Sequence, residues 1–163
     1  RQASEFLRTV RSPFISNYHM MKIPWMFART TMLLETGNPH TRHDVIFIPE
    51  NSFDRPGVNI VRTLIHEQIH VYQKIYRDKF VQSLLHNGYS IIGRVSDTER
   101  VSNPDVDSRI YRHPGGRIMM LKRDNKNLND ALYEHPNELI AYKVAHQYYA
   151  RAKSNLKLQE VET

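Results

Sequence analysis

Cysteine is absent from the 163 residues. That excludes a disulfide framework and any thiolate metal site, leaving His, Asp and Glu as the strong ligands at hand. It also fits a reducing compartment, so an intracellular setting is expected over a secreted one. Glycine (6) and proline (8) are sparse, which excludes collagen-like repeats and a low-complexity chain. No apolar run approaches the roughly 18 residues of a membrane helix, so no membrane span is expected. Nothing near the start reads as a signal peptide, because Asn17, His19, Lys22 and Pro24 interrupt Phe14 to Met26. The chain opens on Arg1 rather than Met, which is expected of a trimmed or processed product.

What is present suits a globular domain: 40% hydrophobic and 25% charged residues. The net charge is +6 and the pI near 9.6, but the cations (Arg8, Arg11, Lys22, Arg29, Arg42) are scattered with no basic tract. Solvated surface explains them, and nucleic acid is the less favoured partner. No repeat or Gly/Ser linker divides the chain, so residues 1–163 are expected to form one domain; the strands and helices read below make an α+β class the expectation.

Ser4 to Arg11 suits a short helix with Phe6, Leu7 and Val10 on one side. Trp25–Leu34 and Val45–Ile48 read as strands, separated by the Gly37-Asn38-Pro39 turn and expected to pair as a hairpin. Asp54 to Gly57 opens a helix predicted from Val58 to Leu85, apolar nearly all round and stopped by Asn87-Gly88. Residues 96–116 read as loop with short strands at most, and Arg117–Lys122 as a strand. Pro136 opens a last helix predicted to about Ala152.

Within the buried helix lies His66-Glu67-Gln68-Ile69-His70. Residues i and i+4 point about 40° apart, so both imidazoles can reach one ion. Glu67, about 100° round, stands beside that ion where a base acting on metal-bound water belongs. With nine His and nine Glu, H-E-x-x-H arises by chance in about 3% of such chains. Two unpaired His and a Glu among Leu64, Ile65, Ile69 and Val71 would be costly, and a metal removes the conflict. A catalytic zinc site takes a third protein ligand. Glu138 is the candidate, because it shares a helix face with Ala141, Tyr142, Ala145, Tyr148 and Tyr149. The small Ala141 and Ala145 permit close helix packing there. The bland reading of Glu138 is a first-turn acid complementing the helix dipole. His40 and His43, at i and i+3 in a turn-rich loop, are a lesser candidate pair.

H-E-x-x-H followed on a later helix by Glu138, in an Asn137-Glu138-x-x-Ala141 setting, resembles the gluzincin metallopeptidases, and in size their compact minimal members. The resemblance implies a zincin-like fold with a small mixed sheet, an active-site helix and a C-terminal ligand-bearing helix. It implies Zn2+ held by His66, His70 and Glu138, with Glu67 as general base. It further implies that Val45–Ile48 forms the cleft edge where substrate lies as an added strand. The oxyanion in such enzymes usually meets a Tyr or His, for which Tyr142 and His135, then Tyr133 and His146, are candidates. The sequence departs from many gluzincins in having Ala141 and Tyr142 where an Asp follows the glutamate ligand. The 67 residues between His70 and Glu138 also exceed the spacing of aminopeptidase-like members. Gly37–Ile48 and Asn103-Pro104-Asp105 loosely resemble peptidase-like proteins of large DNA viruses, which adds a virion-associated setting to the expected locations.

The expected activity is therefore zinc-dependent hydrolysis of peptide bonds in a peptide or protein substrate. The alternative is a zincin-like structural or virion-associated protein with little turnover. A base at Glu67 has no use in a scaffold, which favours the enzyme.

Overall fold

The computed structural model describes the chain apart from residues 32, 34–36, 55–56, 97–102, 104, 122–134 and 162–163; for 155–161 it describes the backbone alone. The architecture is mixed α+β, with two small sheets and five helices among the described residues. Helix α1 (Gln2–Thr9) buries Ala3, Phe6 and Leu7, the apolar side expected of it. A short α2 (Asn17–Met20) follows, its first turn capped by the Ser16 side chain.

The first sheet holds β1 (Met26–Thr30), β2 (His40–Arg42) and β3 (Val45–Pro49) in the order β1-β3-β2. β1 and β3 do not form the expected hairpin. They run parallel, Met26 opposite Val45 and Thr30 opposite Pro49. Parallel neighbours need a crossover of about a dozen residues or more, which residues 31–44 supply. The hairpin is instead β2–β3, turned at His43 in the left-handed region (φ 54°). This makes β3 the central strand. Val45 to Phe47 is paired on both sides, so the expectation of a substrate-binding edge at Val45–Ile48 is overturned.

After a 3₁₀ turn (Glu50–Asp54) comes α3 (Gly57–Ile75), which buries Ile65 and the run from Glu67 to Gln73. The predicted single helix to Leu85 is in fact two, because the backbone bends at Tyr76 before α4 (Arg77–His86). Neither Pro nor Gly marks the bend. The Tyr76 ring lies against Tyr72 (5.4 Å), one turn back, and against His19 (4.7 Å), a contact that no local pattern signals. Asn87 ends α4 as expected, and Gly88 takes φ 84°, where a side chain would be strained.

A second antiparallel sheet, β4-β5-β6, follows: β4 (Ser90–Arg94), β5 (Arg109–Arg112) and β6 (Ile118–Met119). Sequence reading assigned no strand to β4, whose side chains are largely exposed and give no alternation of burial. The last helix, α5 (Pro136–Val161), starts where expected and runs nine residues past Ala152. Its Leu139, Ile140, Ala141, Val144 and Ala145 are buried, and α5 packs along α3. One contiguous core draws side chains from Ala3 through Ile46, Ile65, Ile69, Tyr111 and Met119 to Ala145. None of the described helices is long and apolar enough to cross a membrane.

Candidate metal centre

His66 and His70 stand one turn apart on the buried half of α3, and Glu138 stands in the first turn of α5. Close packing at Ala141 and Ala145 brings the two helices, and these side chains, together. His66 Nε2 lies 3.0 Å from His70 Nε2; Glu138 Oε2 lies 3.3 Å from the first and 3.5 Å from the second. Atoms bound at about 2.0–2.1 Å on the corners of a tetrahedron lie about 3.3 Å apart, so the observed triangle has the edge lengths of a zinc site. Among the described residues this is the sole group of three His, Asp or Glu close enough to hold a metal ion. Two imidazoles and one carboxylate are a donor set that zinc and other divalent transition metals take. The His70 side chain is 1% exposed, Glu138 12% and His66 20%, so the centre opens to solvent beside His66.

Electrostatics bind the cluster together. Burial alone would push the Glu138 carboxyl up, but the His70 charge and hydrogen bonds from His66 and His70 hold it well below the usual range. Burial draws the His70 imidazolium down; the Glu138 and Asp105 carboxylates outweigh that and leave its pKa raised. Glu67 is 4% exposed, and its Oε2 has no hydrogen-bond partner. Burial pushes its carboxyl up to about 8, against the opposing charge of His66. A buried carboxylate oxygen without a donor, beside a converging His-His-Glu triangle, is what a site awaiting a cation and its water would contain.

Outside the triangle, His70 Nδ1 meets Gln73 Oε1 at 2.8 Å, while Gln73 Nε2 donates to the Asn137 carbonyl at 3.0 Å. Asn103 Nδ2 donates to Glu138 Oε1 at 3.4 Å. Asp105 Oδ1 accepts from the Thr41 amide (3.2 Å), the Thr41 hydroxyl (2.5 Å) and Lys74 Nζ (2.8 Å). Lys74 Nζ also donates to the Thr41 hydroxyl and, at 2.7 Å, to its carbonyl. Both backbone groups of Thr41 are thereby taken, so the outer edge of β2 is closed at that residue. Sequence reading missed Gln73, Lys74 and Thr41, and met Asn103 and Asp105 only as part of a resemblance. Gln73 offers a usable signal: a polar amide three residues after His70, preceded by the core residues Val71 and Tyr72.

His135 is fully buried, its Nε2 3.3 Å from Asp107 Oδ1 and its Nδ1 accepting from the Asn137 amide at 3.2 Å. Tyr142 is part-buried one turn after Glu138, its ring stacked on His146 at 5.8 Å. Tyr133 lies outside the described residues. His40, in β2, stacks on Phe47 at 5.2 Å and His43 occupies the hairpin turn; among the described residues neither joins a group that could hold a metal. Comparison with protein-family models, with curated proteins and with solved structures finds no match to this chain.

Proposed function

We propose that this chain is a zinc-dependent peptidase of gluzincin type with a zincin-like fold, hydrolysing peptide bonds in a peptide or protein substrate. The observation that carries the reading is the convergence of His66, His70 and Glu138, with the buried Glu67 Oε2 left without a hydrogen-bond partner. Zinc held by the three ligands supplies Lewis acidity, lowering the pKa of a water toward about 7 and polarising a carbonyl. Glu67 Oε2 takes the proton of the attacking water and returns it to the leaving amine. Burial makes Glu67 a reluctant anion, and a nearby dication favours its ionised form. Tyr142, one turn beyond Glu138, is the residue we assign to the oxyanion. His135 has both ring nitrogens engaged by Asp107 and Asn137, which assigns it to holding the start of α5.

The test is Glu67→Gln, which keeps size and shape but cannot accept the proton. Zinc content and thermal unfolding should match the wild type, while cleavage of a broad peptide library should fall by about 10²–10⁴-fold. Equal cleavage by the variant would refute the base assignment. A zinc-loaded wild type that cleaves nothing would favour the structural or virion-associated alternative.

A further inference from the structure

The polar groups around the triangle form a closed circuit. His70 Nδ1 faces Gln73 Oε1, Gln73 Nε2 donates to the Asn137 carbonyl, and Asn137 Nδ2 donates to the Asp105 carbonyl at 3.1 Å. The Asp105 amide donates to Asn103 Oδ1 at 2.8 Å, and Asn103 Nδ2 donates to Glu138 Oε1. Glu138 Oε2 then faces His70 Nε2 again. Gln73 is 3% exposed and Asn137 8%, so water does not compete freely for these bonds.

Donor and acceptor roles in this circuit are not interchangeable. The Asn137 carbonyl can only accept, so the Gln73 amide must present its NH₂ there and its oxygen to His70. An oxygen facing Nδ1 requires the proton on Nδ1. In the neutral ring the single proton goes to the nearer acceptor, Gln73 Oε1 at 2.8 Å rather than Glu138 Oε2 at 3.5 Å, so Nε2, the atom of the metal triangle, then carries the lone pair. The same amide ties α3 to the peptide immediately before Glu138, so it sets the separation of ligands drawn from two helices.

We infer that Gln73 is a positioning residue of the metal centre: it holds His70 as the Nδ1–H tautomer and couples it to the Glu138 turn before any ion arrives. This rests on the metal reading proposed above, except for the tautomer, which belongs to the chain without metal. A ligand pre-set in this way needs no ring flip or proton shift on binding, and outer partners of this kind are worth about 10–100-fold in metal affinity.

The experiment uses the full chain, metal-free, with ¹⁵N-labelled histidine, at a pH where the imidazoles are neutral. Nitrogen shifts should report His70 with a protonated Nδ1 and a bare Nε2 in the wild type and in Gln73→Glu, which keeps the acceptor. In Gln73→Leu the preference should weaken. Chelator competition should then give zinc affinity about 10–100-fold lower for Gln73→Leu, with part of the loss restored in Gln73→Glu. A wild-type His70 protonated on Nε2 overturns the inference, whether or not the leucine variant folds. So does a folded Gln73→Leu with unchanged tautomer and affinity. A wild type that takes up no zinc refutes the metal reading, and the tautomer measurement then decides the role of Gln73 alone.

Discussion

Two buried histidines near the start of α5 have opposite chemistry. His70 meets an acceptor at Nδ1 and turns Nε2 toward His66 and Glu138. His135 accepts the Asn137 amide at Nδ1 and so donates from Nε2 to Asp107. Both have a carboxylate neighbour. Only His70 has a lone pair aimed at a point that two other ligand atoms share. The Asp107 carboxylate is already filled by His135, by the Arg109 amide and guanidinium, and by the Tyr111 hydroxyl at 3.1 Å. A buried His–carboxylate pair is thus no sign of a metal site by itself. Convergence of donors with nothing else to bind is.

Breaking each cluster should separate the two roles. Glu138→Ala should cost more zinc affinity than the roughly 100-fold upper range of an outer-partner change, because it removes a ligand and its charge. Asp107→Asn, which reaches Glu138 only through His135 and the start of α5, should cost far less than that. Chelator competition on both variants measures the contrast, and equal losses would erase it.

Zinc removal should come next in size. At a hundredfold excess over its Kd, zinc stabilises the fold by about 2.7 kcal/mol. For a chain of this length that is about 2–4 °C in Tm per kcal/mol. Calorimetry with and without a chelator should show this shift in the wild type and in Asp107→Asn but not in Glu138→Ala.

The Asp107 cluster should reveal itself against acid instead. Burial would raise its carboxyl, yet the hydrogen bond from His135, with those from Arg109, holds it below the ordinary range. A depressed native pKa gives stability that is fully present above the ordinary carboxylate value of about 3.9 and lost as pH falls toward the native one. Asp107→Asn should lower stability at neutral pH by about 1–3 kcal/mol and flatten the acid limb of the unfolding curve. Urea titrations across pH 2–7 would expose an unchanged limb and so remove this role.

The smallest effect should be Asn103→Ala. Its one long hydrogen bond fixes the oxygen of Glu138 that faces away from the histidines. A loss of about tenfold or less in zinc affinity is expected, at the low end for outer partners.

How much of this is legible in the sequence depends on how far apart the partners are. The spacing of His66 and His70 becomes geometry through helical periodicity alone. The Glu138–Ala141–Ala145 face tells which side of α5 can approach another helix. Strand order resists such reading, because whether β1 runs with or against β3 depends on the path of residues 31–44. β4 is illegible because its solvent-facing isoleucines, Ile91 and Ile92, follow no half-buried pattern. Asp105 and Asp107 are ordinary polar residues until partners 28 to 64 positions away give each a role.

The bonds that complete the site have a consequence for the order in which the chain is made. Thr41 to Asp105 and Gln73 to Asn137 each span 64 positions. Closing a loop of that length costs about 3–4 kcal/mol of chain entropy beyond the fixed term. On a ribosome adding about 5–20 residues per second, Glu138 emerges roughly 3–14 s after His70. Through that interval the nascent chain offers two imidazoles and no third ligand, too weak a grip to retain an ion against competitors. The centre is therefore a late lock. Metal that enters after α5 docks should slow unfolding while leaving the folding rate nearly unchanged.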